Sequence, residues 1–265
     1  MKRSSVLLAR YLGFVETYDL SPDGRIFFPE LAKGLVERYQ FQKFPKEPSE
    51  FDEGKGIEFA DGRRGNDVIS RVVIYNFAIL VETRSNTNLS QEILEDALLW
   101  AKGEFGLTYE ADMIKRCAYV SQLTFYSEAT LNLLNPILTT LSQRITDAVS
   151  NFQRTQTDYQ TTTFGIHHDH TTRKATMAGF TVQPRAESPL DDHKYFSEAP
   201  LPTDMHWELL EDLESALLGT PSTSNDLVMK KPTREETIRL KEEARREETP
   251  RLRGVSVRRR EHRQT

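Results

Sequence analysis

Apolar and polar residues alternate along the first half of the chain in a way that predicts strands separated by two amphipathic helices. The second helix is the clearest, because its apolar residues keep a 3.6-residue period until Gly106 ends it. The order β-α-β-β-α-β is the split βαβ, or ferredoxin-like, arrangement, so we expect an α+β fold whose first unit covers residues 1–127. The predicted elements are strand 7–18, helix 29–39, strands 56–60 and 68–83, helix 88–105 and strand 116–126.

The pattern continues into an α-β-β-α half over residues 128–219. A long helix is predicted over 131–152, with Pro136 either in its first turn or at a kink. Strands are predicted over 161–168 and 174–185, followed by a helix that begins after Pro202 and ends at Gly219. Since the two halves share no repeated residue pattern, this half can extend the first sheet or form a second one.

Residues 220–265 differ sharply from the body in charge. They contain thirteen Lys and Arg against eight acidic residues, a net +5, so the chain's total of -5 leaves -10 on the body. With few residues to bury, this segment is predicted to be a disordered charged tail. Its end is rich in arginine, which suits an acidic protein surface or, through phosphates, nucleic acid. The candidate binding residues are Arg251, Arg253, Arg258, Arg259, Arg260 and Arg263.

Composition excludes several kinds of site and location for this protein. The longest apolar run, 72–81, is much shorter than the roughly 20 residues that cross a bilayer, so no membrane contact is expected. The single cysteine, Cys117, excludes an intrachain disulfide and multi-cysteine metal sites. It is predicted to lie in a buried strand, and its isolation favours a reducing, cytoplasmic location.

Five of the six histidines lie between residues 167 and 206, and the group includes the run His167-His168-Asp169-His170. Clustered imidazoles with a carboxylate can bind a divalent metal such as zinc, so His168, His170 and His206 are candidate ligands. The alternative is that residues 167–170 form a solvated strand end and turn, and that His206 lies at the boundary between the core and the surface on the last helix. No other cofactor is expected.

Motifs for nucleotide binding and nucleophilic catalysis are absent. The chain has no G-x-x-x-x-G-K-[ST] loop and no G-x-S-x-G elbow, and no general acid/base pair stands out. We therefore expect a non-enzymatic interaction or assembly protein whose body self-associates or binds a protein partner and whose tail acts as a tether. The alternatives are a metal-dependent hydrolase or nuclease at the histidines, and electrostatic nucleic-acid binding by the tail.

Overall fold

A computed structural model describes residues 1–22, 28–169 and 178–219. They form one antiparallel sheet of eight strands, with five α-helices in the same ranges, and this confirms the α+β class. The strands are β1 Lys2–Phe14, β2 Ile57–Arg64, β3 Asp67–Tyr75, β4 Ala78–Thr83, β5 Arg116–Tyr126, β6 Phe164–Ile166, β7 Phe180–Pro184 and β8 Lys194–Ala199. The helices are α1 Thr17–Leu20, α2 Phe28–Tyr39, α3 Thr87–Phe105, α4 Pro136–Gln153 and α5 Thr203–Leu218.

The strand order is β2-β3-β4-β1-β5-β8-β7-β6, so both halves of the sequence contribute to one sheet. Strand β1 lies in the interior of this sheet and pairs antiparallel with β4 on one side and β5 on the other. Three strands, rather than the predicted two, separate α2 from α3. The ferredoxin-like connectivity is therefore not confirmed.

The extra strand arises inside the region predicted as a single strand over 68–83. The chain reverses at Asn76 and Phe77, and β3 then pairs with β4 from Tyr75 opposite Ala78. The carbonyl groups of Asn76 and Phe77 accept hydrogen bonds from the backbone of Thr17 and Val15. Because neither turn residue is glycine or proline, nothing in the apolar run marks the reversal.

Helices α3 and α5 pack on the same face of the sheet. Tyr11 of β1, opposite Tyr119 of β5, belongs to the core beneath α2 and α3. Ser121 follows Tyr119 by two residues, so its side chain lies on the same face, where it contacts His206 of α5. Two apolar clusters result, one beneath α2 and α3 and a smaller one beneath α5.

The first turns of α3 and α5 meet through a reciprocal pair of hydrogen bonds. The backbone N–H of Thr87 donates to Oγ1 of Thr203 at 3.1 Å, and the N–H of Thr203 donates to Oγ1 of Thr87 at 3.0 Å. Both threonines are buried. Since the first N–H groups of a helix have no partner within it, each hydroxyl satisfies a donor of the other helix.

The second half differs from its predicted elements mainly in its strands. Strand β6 is shorter than predicted. Of the predicted strand 174–185, residues 174–177 lie outside the described residues, and β7 covers Phe180–Pro184. Strand β8 was not predicted, because Ser197 interrupts its apolar alternation. Pro136 lies in the first turn of α4 and does not kink it. All the residues described here fall within one compact unit, Met1–Ser222. No helix among them is long and apolar enough to cross a membrane.

The threonine contact gives the first prediction. Thr87→Val and Thr203→Val should each lower the free energy of unfolding by about 1–3 kcal/mol, because each leaves a buried N–H without its acceptor. Urea unfolding followed by circular dichroism measures this change. Thr108→Val, at an exposed threonine, is the control and should stay within about 0.5 kcal/mol of the parent protein. Equal effects of all three substitutions would contradict the role of the contact.

Candidate functional site

Only part of the predicted metal site lies within the described residues. His170 lies outside the described residues, as do the six tail arginines from Arg251 to Arg263. His168 follows β6, whereas His206 is on α5 with no exposed surface. Within residues 1–22, 28–169 and 178–219, no group of three or more His, Cys, Asp or Glu side chains is arranged to hold a metal ion.

His206 lies between two buried serines. Its Nδ1 is 2.7 Å from Oγ of Ser121, and its Nε2 is 2.8 Å from Oγ of Ser197. The serine hydroxyls are also within hydrogen-bond distance of backbone carbonyls, Ser121 with Leu201 at 3.0 Å and Ser197 with Thr181 at 2.8 Å. Both ring nitrogens of His206 are therefore already engaged by protein groups.

Burial keeps this histidine neutral. It lowers the pKa of His206 to about 4, well below the ordinary value for histidine. A neutral imidazole has one N–H and one lone pair, so one serine accepts from the ring while the other donates to it. Among the described residues, no carboxylate contacts the ring to orient it as in a Ser-His-Asp triad, and all three side chains are inaccessible to solvent. The arrangement fits a structural polar cluster in the core.

Sequence reasoning placed His206 on the last helix as a metal ligand or a boundary residue, and it missed both the full burial of His206 and the two serines. The predicted alternation of strand 116–126 puts Ser121 in phase with its buried residues, so the signal was present for that serine. Ser197 belongs to β8, which was not predicted. A buried histidine indicates that hydrogen-bonding partners are required, and inward-facing serines on neighbouring strands are the residues to look for.

Two buried carboxylates elsewhere are also engaged. Glu82 accepts hydrogen bonds from Arg10 at 2.6 Å and from Arg71 at 3.0 Å. Glu214 forms an ion pair with the amino group of Met1. Burial by itself raises the pKa of Glu214, but this ion pair and further hydrogen bonds outweigh burial, and the pKa falls below its ordinary value. Both groups therefore act as charge partners within the fold.

Cys117 is exposed, and its predicted burial was wrong. It lies near the start of β5, opposite Gly13 of β1. Arg116 beside it is also exposed and Ala118 is half-buried, so burial decreases toward the start of the strand. Alternation predicts which side of a strand a residue occupies, but it does not show how far the covering layer reaches.

Helix α4 exposes its apolar side. Leu141 is 50% exposed and Phe152 is 86% exposed, and no α4 residue is buried. The apolar residues recur at alternating intervals of four and three, which is the heptad spacing of paired helices. We name these residues the α4 seam: Leu138, Leu141, Ile145, Ala148 and Phe152.

The polar side of α4 makes the contacts with the rest of the chain. Thr146 Oγ1 accepts a hydrogen bond from the backbone of Tyr159 at 2.8 Å, and Ser150 Oγ contacts Thr157. Thr139 donates to the carbonyl of Asn132. A surface helix normally presents its polar side to water and its apolar side to the core. Helix α4 therefore has the reverse of this usual orientation.

A second apolar feature is a cavity of about 550 Å³ within the larger core cluster. It lies between α2, α3 and the sheet, and its buried walls are almost entirely aliphatic. Its half-buried and exposed polar residues lie at one end, in residues 16–21, at Glu53 and in the β3–β4 turn. Residues that line the cavity include Leu31, Leu35, Tyr39, Ile74, Ile79, Val81, Ile93, Leu94, Ala97 and Leu98, with Glu16, Thr17, Ser21, Glu53 and Asn76 at its polar end.

The volume of this cavity lies within the range of pockets that hold drug-sized ligands. The cavity opens to solvent at its polar end, where Glu16 is exposed. Water fills its apolar part poorly, because it finds few hydrogen-bonding partners there. The cavity is therefore a candidate site for an apolar ligand.

The buried histidine gives the second prediction. An unfolded chain binds a proton at His206 near pH 6.5 and the folded one only near pH 4, so stability falls as the pH drops through this interval. This group should remove about 2 kcal/mol of stability between pH 7 and pH 5. Urea unfolding of the parent and of His206→Gln at both pH values isolates the effect. An identical loss in both proteins would contradict it.

Comparison with known proteins adds no family to this picture. No known protein family matches the chain, and no curated protein is significantly similar to it. The α4 seam and the core cavity are therefore the two features that bear on function.

Proposed function

We propose that this protein is a non-enzymatic assembly protein that pairs with a second copy of itself through the α4 seam. The observation that carries the proposal is the reversed orientation of α4, which contacts its own chain with polar groups and exposes its apolar residues. Contiguous exposed apolar surfaces of this kind mark interaction sites.

A second copy is the occupant that the helix favours. Two seams with alternating spacings of three and four can interlock with each other, as in a coiled coil. Helix α4 carries only Arg144 and Asp147 as charged residues among its 18, although 28% of the whole chain is charged. Pairing two such helices brings few like charges together, even though the body is acidic.

The expected affinity follows from the size of the seam. Burying a half-exposed leucine or isoleucine stabilises by about 1 kcal/mol, and burying the largely exposed Phe152 stabilises by about 2 kcal/mol, so the four large seam residues of each copy contribute about 10 kcal/mol in total for the pair. Loss of translational and rotational freedom opposes this by about 4–15 kcal/mol. At the low end of this cost about -6 kcal/mol remains, so we expect a dimer that dissociates at tens of micromolar.

The charged tail is the second part of the proposal. Residues 220–265 carry +5, and their last arginines suit an acidic protein partner. We propose that the tail tethers the assembled body to such a partner. A cytoplasmic location is in keeping with a lone, exposed cysteine, because thiols persist in reducing compartments.

The assembly gives the third prediction. Sedimentation equilibrium at about 200 µM should give a weight-average mass that approaches twice the 30.5 kDa chain mass. Leu141→Lys/Ile145→Lys should shift it to the monomer, with a dissociation constant raised at least about 100-fold, because charges cannot be buried in the seam. Gln143→Lys/Asn151→Lys adds the same charge to α4 outside the seam and should leave the dimer intact. A monomeric parent, or equal effects of the two pairs, would contradict the proposal.

The tether gives the fourth prediction. A pull-down from native lysate with the full chain should recover a partner that elutes at raised salt, because exposed charge pairs are screened by ions. A chain truncated after Gly219 should lose this partner yet still dimerise. Arg258→Gln/Arg259→Gln/Arg260→Gln tests the arginines without shortening the chain. Identical eluates from all three proteins would argue against a tether.

A further inference from the structure

We propose that the cavity beneath α2 and α3 binds an apolar small molecule whose single polar end is a hydrogen-bond donor, such as a long-chain alcohol or amine. This site is independent of the α4 seam. Its volume, about 550 Å³, lies within the range of pockets that hold drug-sized ligands. Such pockets are mostly apolar and contain a few polar groups at defined positions, as this one does.

The buried walls determine the apolar part of the ligand. Leu31 and Leu35 of α2 face Ile93, Leu94 and other residues of α3 across the cavity, and sheet residues form its floor. The one buried polar side chain there is Tyr39, whose hydroxyl donates to Asp96 at 2.5 Å. The Tyr39 hydroxyl therefore donates to the protein and not to the ligand. A hydrocarbon chain or ring system suits these walls.

The polar end of the cavity determines the polar group of the ligand. Thr17 joins the residues of this end: its hydroxyl donates to Glu53 Oε2 at 2.7 Å, and its backbone N–H donates to the carbonyl of Asn76 at 2.9 Å. Glu16 lies beside it in sequence. The lining residues that the structure describes include no lysine, arginine or histidine. Two carboxylates, at an end whose described lining residues include no basic side chain, favour an amine or hydroxyl and repel a carboxylate.

Fatty acids are therefore excluded from the proposed ligand class, although their chains match the walls. A carboxylate ligand needs donors or positive charge at its head, and the charged groups described at this end, Glu16 and Glu53, are acceptors only. A ligand of the proposed class donates a hydrogen bond to Glu53 or Glu16 while its chain fills the cavity.

Binding is tested on the full chain with the uncharged fluorescent probe N-phenyl-1-naphthylamine. The probe should bind with a micromolar dissociation constant and increase in fluorescence. Dodecylamine and dodecanol, below their aggregation concentrations, should displace it at concentrations at least 10-fold lower than dodecanoate. An unbound probe, or displacement by dodecanoate equal to that by dodecylamine, would overturn the proposal.

Variants locate the binding site. Ala97→Phe places a ring in the cavity from α3 and should weaken probe binding at least 10-fold, whereas Ala111→Phe, at an exposed turn residue, should not. Glu53→Gln, near the surface, should reduce the preference for dodecylamine over dodecanoate to below about 3-fold, and it serves as the test should Ala97→Phe fail to fold. Leu141→Lys/Ile145→Lys should bind the probe normally. Loss of binding in that pair, or no effect of Ala97→Phe and Glu53→Gln, would place the probe elsewhere and overturn the proposal.

Discussion

The reciprocal hydrogen bonds between Thr87 and Thr203 join the two halves of this molecule. They lie 116 residues apart in the chain and connect the first turns of α3 and α5. Two helix N-termini repel each other electrostatically, because both carry the positive end of a helix dipole. The threonine hydroxyls make the approach favourable by satisfying N–H groups that burial would otherwise leave without acceptors. Each helix can then cover its own part of one continuous sheet.

Once the two helices are fixed, the rest of the covering layer follows. Ser90 of α3 donates to the carbonyl of Ala9 at 2.8 Å, which ties the helix to the interior strand β1. His206, one turn after the start of α5, reaches the serines of β5 and β8. Polar contacts therefore set the positions of both helices on the sheet, and apolar packing fills the space between them. The filling is complete beneath α5 but not beneath α2 and α3, where the cavity remains.

Periodicity predicted the long helices well because it is a local property. The end of α3 at Gly106 was predicted, and this residue has the left-handed φ of 71° that ends many helices. Its beginning was predicted at residue 88, whereas α3 begins at Thr87 after its capping residue Asn86, whose side chain accepts from the N–H of Leu89 at 2.8 Å. Strand boundaries failed for a different reason. Asp61-Gly62 has turn residues but lies inside β2, where pairing with β3 outweighs the local preference.

The candidate sites show a further limit of sequence reasoning. The apolar stripe of α4 was visible in the sequence, but a stripe predicts only that something covers it, not whether the cover belongs to the same chain. A cavity leaves no sequence signal at all, because its walls are composed of the same residues as a filled core.

The two apolar features therefore have to be explained separately. Most of α4's contacts with other elements are with the short turn at Leu131–Leu134, which packs in the smaller cluster, whereas the cavity lies in the larger one. Pairing through the α4 seam consequently requires no change around the cavity, and filling the cavity requires no change in α4. An assembly surface and a ligand site can thus exist in one fold without competing for the same core.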